Sequence, residues 1–345
     1  MSTLVQRPTT AMVDRGSAPL AQVHPAPAAT APEAIAPSVT APSVTAPAAI
    51  ARSTPAPSAV VELLKPVTWF APMWALMCGV VSAGVPMLDH WPSIVGAALL
   101  AGPLVCGTSQ AANDWFDRHV DAINEPRRPI PSGRIPGRWG LGIALAWTAL
   151  SLVVGALLGP WVFAAAIVGL LLAWAYSAPP LRLKLNGWWG NAAVGLCYEG
   201  LPWFTGAAAL TVQLPDARIT ALALLYSIGA FGIMVLNDFK AIEGDRTLGI
   251  RTIPVQLGIR PAAVLACVVM AVPQAIVITL LALNGWTTHA LIVTGLLAAQ
   301  LLLMPGLVRA PRKRAPLYNA TGTTLYVAGM LVSGLAVRTL ATASL

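Results

Sequence analysis

Counting Glu125 just after the first, seven of the thirteen acidic residues gather at two short stretches. The first reads Asn113-Asp114-Trp-Phe-Asp117-Arg-His-Val-Asp121. On a helix, positions 113, 117 and 121 stack at i, i+4 and i+8, and 114 borders them. Three carboxylates and an amide oxygen then converge with nothing basic interleaved on the same face. Like charges that close repel, and a bound divalent cation relieves the repulsion. Oxygen-only ligands suit Mg2+, commonly held by one or two carboxylates plus substrate phosphates. For one such cluster a solvated helix end is the plain alternative. A second stretch, Asn237-Asp238-Phe-Lys-Ala-Ile-Glu243-Gly-Asp245-Arg246, weakens that alternative. Asp238 and Asp245 share a face if the helix continues, whereas Glu243 points elsewhere.

Cations follow both stretches. Arg127, Arg128 and Arg134 lie in Glu-Pro-Arg-Arg-Pro-Ile-Pro-Ser-Gly-Arg, a loop stiffened by three prolines. Arg182 and Lys184 follow Tyr176-Ser-Ala-Pro-Pro, and Arg246 and Arg251 follow the second acidic stretch. Metal-bearing carboxylates ringed by Arg and Lys are what a diphosphate needs, although loops on one side of a membrane are often basic anyway. Of the four histidines, only His119 lies within a motif, and its position faces away from the proposed metal. The four cysteines have no CxxC or CxxH spacing and read as apolar packing residues.

The elements that position these residues are membrane helices. Of 345 residues, 57% are hydrophobic and only 10% charged, and mean hydropathy is +0.71. A soluble domain carries about 25% charged residues, because a globule needs a solvated shell that lipid makes unnecessary. The net charge of +8 lies in short loops, with no basic helix and no aromatic–basic platform, so nucleic acid is not the expected partner. Apolar runs long enough to span occur near 67–86, 92–112, 139–158, 161–178, 190–210, 219–237, 261–283, 287–308 and 317–339. Nineteen of the 21 lysines and arginines then fall on alternate segments, which puts the N-terminus and both acidic loops in the cytoplasm.

The expected fold is therefore an all-α polytopic membrane protein, with about nine transmembrane helices around a central cavity. The Asn-Asp pairs recur 124 residues apart, after the second and sixth spans, which suggests two pseudo-repeats of four helices plus one. Residues 1–58 hold ten of the thirty prolines and read as a disordered Pro/Ala-rich extension; residues 59–345 form the membrane domain. Glu199 falls inside the fifth span, where an ionised side chain is costly unless paired or wetted, and is expected to face the cavity. Most of the twelve tryptophans fall at span ends, as in an interfacial belt, with Trp115 and Trp203 as candidates for lining a channel.

Taken together, these motifs resemble the UbiA superfamily of intramembrane prenyltransferases, and within it the branch of chlorophyll and bacteriochlorophyll synthases, the latter more closely. The resemblance covers roughly residues 60–340. Asn113 to Asp121 matches the family's NDxxDxxxD pattern, and Arg128-Pro-Ile-Pro-Ser-Gly its following segment. Tyr176 through Lys184 to Gly190-Asn191, Asn237 to Asp245, and Gly249-Ile-Arg-Thr-Ile-Pro-Val-Gln-Leu-Gly are similar to the tetrapyrrole branch. A further aspartate often found between the outer two of the second motif is replaced here by Lys240-Ala241-Ile242.

The resemblance implies transfer of a C20 group from geranylgeranyl or phytyl diphosphate to the propionate of a chlorophyllide or bacteriochlorophyllide, with Mg2+ as cofactor. It implies metal ligands at Asn113, Asp114, Asp117, Asp121, Asp238 and Asp245, of which Asp117, Asp121, Asp238 and Asp245 are catalytic. Arg128, Lys184, Arg246 and Tyr176 would bind diphosphate, and Glu199 would contact the tetrapyrrole. A bacterial inner, intracytoplasmic membrane is the implied location, in association with other pigment-biosynthesis membrane proteins. Other expectations are a family member acting on a quinone precursor or haem, and, from another class, a secondary transporter. Transporter sites, however, sit at the bilayer midplane on broken helices, whereas these carboxylates lie at its edge.

Overall fold

The computed structural model describes residues 54–339. The extension expected over 1–58 lies outside the described residues except for its last five, and a helix already begins within those, at Pro57. Among the described residues the chain is helical, with no strand beyond one isolated backbone bridge.

Two short elements lead in: α1 (Pro57–Leu64), then a 3-10 turn over Pro66–Trp69 into α2 (Phe70–Ser82). The next membrane passage is one long stretch. It comprises α3 (Trp91–Leu99), a π-helical segment Leu100–Cys106 containing Pro103, and α4 (Gly107–Asn124). Proline cannot donate to the helical ladder and crowds the preceding turn, so the wider π spacing falls there. Helices α5 (Trp139–Leu158) and α6 (Pro160–Ser177) complete the first half.

The second half opens with α7 (Gly187–Gly195), a π segment Leu196–Gly200 and α8 (Leu201–Thr211), which run on without a break. It continues through α9 (Ala217–Asp238), the short α10 (Ile242–Thr247) and α11 (Ile253–Leu257), then α12 (Ile259–Leu283) and α13 (Thr287–Arg309). The last helix, α14 (Pro311–Val337), packs on α13 and α9 and returns to α2. Neighbours thus close on themselves: α2, the π segment Leu100–Cys106 that runs into α4, then α4, α5, α6, α8, α9, α12, α13, α14 and back to α2.

Eight of the helical stretches are long and apolar enough to cross a membrane. The fifth expected span, 190–210, corresponds to the stretch from Gly187 to Thr211, which is not among those eight. Its glycines, Asn191 and Glu199 dilute its hydropathy, and much of its surface faces protein. Outward faces elsewhere are apolar, as at Leu157, Leu283 and Leu302. Inside, helices are tied by buried polar pairs. The Gln274 and Gln300 side chains exchange amide hydrogen bonds of 3.1 and 2.9 Å between α12 and α13, and Tyr226 Oη meets Ser333 Oγ at 2.9 Å. Trp203, a channel candidate from sequence, is instead core: fully buried, it donates to Ser82 Oγ at 3.0 Å and stacks on Tyr226.

The α2–α8 crossing shows why small residues recur in these helices. A Cβ on Gly79 would sit 1.9 Å from Trp203 O, and one on Gly206 would sit 2.2 Å from Leu76 O. Backbone meets backbone there, so nothing flexible can yield. Gly79→Val or Gly206→Val is expected to destabilise the protein by at least about 1–3 kcal/mol. By contrast, Gly142→Ala on α5, with nothing within 4 Å of the added carbon, is neutral or mildly stabilising. Thermal unfolding of the three variants in detergent, read by loss of monodisperse protein, checks this.

Candidate active site

The two acidic stretches reach one cavity of about 470 Å3 through their leading asparagines, and none of their carboxylates is part of its lining. Its walls are largely apolar, with Val67, Ala101, Val105, Leu172, Val194 and Met234 among them. Asn113 and Asn237, the first residues of the two motifs, line it together with Tyr176.

The first motif lies wholly on α4, as its spacing predicts. Its carboxylates do not simply repel one another, because each is met by a cation from elsewhere in the chain. Asp114, 1% exposed, receives Lys65 Nζ at 2.6 Å and Arg128 Nη1 at 3.5 Å. The same Arg128 nitrogen lies 2.9 Å from Asp121 Oδ2, while the rest of the guanidinium grips Glu125 at 2.9 and 3.1 Å. Asp117 turns to the other side, where Lys184 Nζ donates to it at 2.6 Å and Arg182 Nη2 stands at 3.8 Å. So Asp114 and Asp121, seven apart, share one cation and Asp117 has its own.

Lys65 escaped the sequence reading, and so did its role. Its only signal is a Lys-Pro step at the foot of the first span; the partner is 49 residues away. Among the described residues, Lys65 and Arg182 are two of the three non-glycine residues with positive φ, at 47° and 40°. That conformation costs an L-residue about 1–2 kcal/mol and concentrates at functional sites. Here it turns each cation from a helix end towards the carboxylates.

The second motif departs from expectation. Asp238 and Asp245 are not on one helix: α9 ends at Asp238, the chain turns, and Asp245 lies on α10. Asn191 Nδ2 donates to Asp238 Oδ2 at 3.2 Å, and Thr252 Oγ1 donates to Asp245 Oδ2 at 3.1 Å. Burial raises the Asp245 carboxyl above its ordinary range, opposed by the Thr252 hydroxyl. Likewise burial lowers the Lys184 ammonium, opposed by Asp117. Both shifts disfavour the charged form and would be relieved by an incoming partner of opposite charge.

A backbone bridge joins the loops of the two halves: Gly187 N donates to Arg251 O at 2.8 Å, and Arg251 N to Leu185 O at 2.9 Å. Gly187 is required there, since an added Cβ would lie 2.6 Å from Ile253 N. The bridge sets Lys184 beside the segment that carries Asp245.

Two buried polar atoms at the site lack any hydrogen-bond partner: Asp114 Oδ2, an acceptor, and Arg182 Nε, a donor. The asparagines are also oriented differently. Asn113 Nδ2 donates to Ser177 Oγ at 3.1 Å, which leaves its carbonyl oxygen unbonded. Asn237 Oδ1 instead accepts from Asn319 Nδ2 at 2.9 Å, which leaves its NH2 available. Among the described residues no three His, Cys, Asp or Glu side chains gather as a closed metal cage. An all-oxygen donor set with an unbonded carboxylate and an unbonded amide oxygen still fits Mg2+, which takes most of its ligands from water and phosphate.

The remaining sequence candidates divide. Tyr176 lines the cavity, whereas Arg246 is exposed on α10 and is not part of the lining, and His119 is exposed on α4. Glu199 is buried in the π segment with its Oε2 unbonded, but it does not line the cavity. It lies towards Cys78 and Tyr326 in the core, and its neighbours Cys197 and Tyr198 take the cavity face instead. Glu243 is exposed and pairs with Arg312.

The sequence pattern of the UbiA prenyltransferase family matches residues 68–337. The chain is 60% identical over 287 residues to the bacteriochlorophyll synthase 33 kDa chain of Cereibacter sphaeroides, covering 83% of this chain and 95% of that one. It is 41% identical to the chloroplastic chlorophyll synthase of Avena sativa, covering 80% and 75%. Among solved structures, a digeranylgeranylglyceryl phosphate synthase superposes with a TM-score of 0.66 at 18% identity, covering 81% of this chain and 98% of that one. A UbiA homologue from Archaeoglobus fulgidus bound to GPP and Mg2+ gives 0.58 at 19% identity, covering 83% and 100%. These two likenesses establish the fold.

Charge pairing at the mouth generates a direct test. Lys184→Met and Asp117→Asn should be non-additive in stability, coupled by about 1 kcal/mol, because each alone strands a partly buried partner. A double-mutant cycle of thermal unfolding in detergent measures the coupling.

Proposed function

The chain belongs to the UbiA prenyltransferase family, and from that membership we propose that it joins a C20 prenyl group to the propionate of a chlorophyllide or bacteriochlorophyllide, releasing diphosphate. It is an integral membrane prenyltransferase, related to enzymes named for bacteriochlorophyll and chlorophyll synthesis. The observation that carries this reading is the cavity itself: a largely apolar chamber with the leading asparagines of both motifs, Asn113 and Asn237, in its wall. A prenyl diphosphate has the same polarity, an apolar chain with one doubly charged end.

Asn113, Asp114, Asp117, Asp121, Asp238 and Asp245 would hold Mg2+. Bound there, Mg2+ would supply the Lewis acidity that lowers the cost of the negative charge leaving with diphosphate. Lys65, Arg128 and Lys184 keep the carboxylates neutralised before substrate arrives, then redirect charge to the phosphate oxygens. Arg182 Nε, buried without a partner, and the NH2 of Asn237 are donors suited to the same anion. Tyr176 lies in the cavity wall, and exposed Arg246, next to Asp245 on α10, would meet the diphosphate from outside. As the allylic C–O bond breaks, these donors stabilise the departing anion, which is the main catalytic effect expected. The hydrocarbon walls keep water from the allylic cation.

The acceptor accounts for the lack of a general base. A propionate resembles Glu in acidity, with a pKa of about 4.3, and is ionised at neutral pH. Its carboxylate attacks the allylic carbon directly, and no proton has to be removed. Basic loops on the side of both motifs orient this mouth towards the cytoplasm, in a bacterial inner membrane.

Purified protein given labelled geranylgeranyl or phytyl diphosphate, Mg2+ and each chlorin should yield an ester identifiable by mass spectrometry. Quinone precursors and haem in the same panel should yield nothing; prenylation of one of those instead would refute the reading. In that assay Asp114→Asn and Lys65→Met each lower turnover on the order of 10²-fold, while exposed Lys313→Met leaves it unchanged.

A further inference from the structure

One polar side chain in the cavity is left idle by the reaction described above. Gln110 lies on α4, one turn before Asp114, and lines the cavity. A helix rises 1.5 Å per residue, so Gln110 sits about 6 Å deeper than Asp114. Its Nε2 donates to Tyr198 Oη at 3.4 Å. Tyr198 Oη also meets Cys106 Sγ at 3.5 Å, and that sulfur meets Thr68 Oγ1 at 3.4 Å. With its nitrogen directed to Tyr198, the Gln110 Oε1 accepts no hydrogen bond from any described residue. An amide oxygen in an apolar chamber calls for a proton donor or a Lewis acid.

The acceptor proposed above restricts the choice. The rim of a chlorophyllide carries carbonyl and ester oxygens, which accept hydrogen bonds. Its pyrrole nitrogens hold magnesium and no hydrogen. To an amide oxygen the macrocycle offers one complementary centre, the central magnesium, whose axial positions are open. Magnesium prefers oxygen ligands. No histidine lines the cavity, and the sulfurs of Cys106, Cys197 and Met234 are too soft to compete. Of the hydroxyls, Thr68 donates to Lys65 O at 2.8 Å, Tyr198 is engaged with Gln110, Tyr176 stands at the diphosphate end, and Ser109, next to Gln110 on α4, is the competing oxygen that remains.

We propose that Gln110 Oε1 is the axial ligand of the central magnesium of the tetrapyrrole substrate, with Tyr198 fixing the rotation of the amide. This rests on the chlorophyllide reading above. It makes Gln110 a specificity residue: it selects a magnesium chlorin over the metal-free ring and anchors the macrocycle one helical turn below the carboxylates.

The test uses full-length protein in lipid nanodiscs without prenyl donor, titrated with a magnesium chlorin acid and with its magnesium-free form. Gln110→Leu should weaken the magnesium chlorin on the order of tenfold and leave the free base unchanged. Gln110→His should restore the preference for magnesium and shift the coordination-sensitive resonance Raman bands, since nitrogen replaces oxygen. Ser109→Ala, at the neighbouring cavity hydroxyl, should do neither. Mg2+-dependent binding of a non-hydrolysable prenyl diphosphate analogue checks that Gln110→Leu is folded; if that binding is lost, the histidine variant carries the test. Three results overturn the proposal: equal weakening of both chlorins, which would place the amide on the ring's rim; unchanged binding and Raman bands; or loss of magnesium preference in Ser109→Ala. If the wild type esterifies no chlorin, the functional reading falls and this inference with it. If it does esterify them and Gln110→Leu keeps its metal preference, only the inference falls.

Discussion

A carboxylate at the edge of a hydrocarbon slab is tolerated only when its charge is met, and Asp114 is where this protein faces that constraint most sharply. It is 1% exposed, with one oxygen held by Lys65 and Arg128 and the other unbonded. The two cations arrive from different directions: Lys65 from the turn that precedes α2, Arg128 from the proline-rich loop after α4. Arg128 also holds Asp121 and Glu125, so a single guanidinium ties the loop to two turns of helix. Meeting one buried charge therefore orders much of the mouth.

The rest of the architecture follows from keeping that mouth over a cavity. A ring of membrane helices closes when α14 returns to α2. Tight crossings at Gly79 and Gly206 hold α2 and α8 together, and buried amide and hydroxyl pairs tie the later helices. The two helical passages that face the chamber most directly, α3–α4 and α7–α8, are each interrupted by a π segment. The wider spacing rotates the residues after it relative to those before, which brings Cys106, Cys197 and Tyr198 to the cavity.

The two halves share an Asn-Asp motif without sharing a polarity. Asn113 is oriented to present an oxygen, Asn237 an NH2, because one amide donates to Ser177 and the other accepts from Asn319. On the proposed function, the first motif would serve a metal and the second, in part, an anion. This accords with the shorter set of carboxylates in the second motif, where Lys240 occupies the intervening stretch.

By itself the sequence determined what rests on local patterning. Long apolar runs gave the membrane helices, since only a helix satisfies its own backbone in lipid, and the NDxxDxxxD spacing placed Asn113, Asp114, Asp117 and Asp121 on one helix. The alternation of basic loops assigned both motifs to one side, and they do meet at one cavity. What depended on partners far along the chain was decided only by the tertiary structure. Lys65 reaches Asp114 across 49 residues and Lys184 reaches Asp117 across 67, contacts that no periodicity encodes. Asp238 and Asp245 read as one face of a continued helix, but the chain turns after Asp238 and the Asn186–Arg251 bridge fixes the following loop. Glu199 read as a cavity residue because a buried carboxylate in a span usually is one. Which way a membrane helix faces is set by its neighbours' packing, and here the packing turned Glu199 to the core and Tyr198 to the chamber.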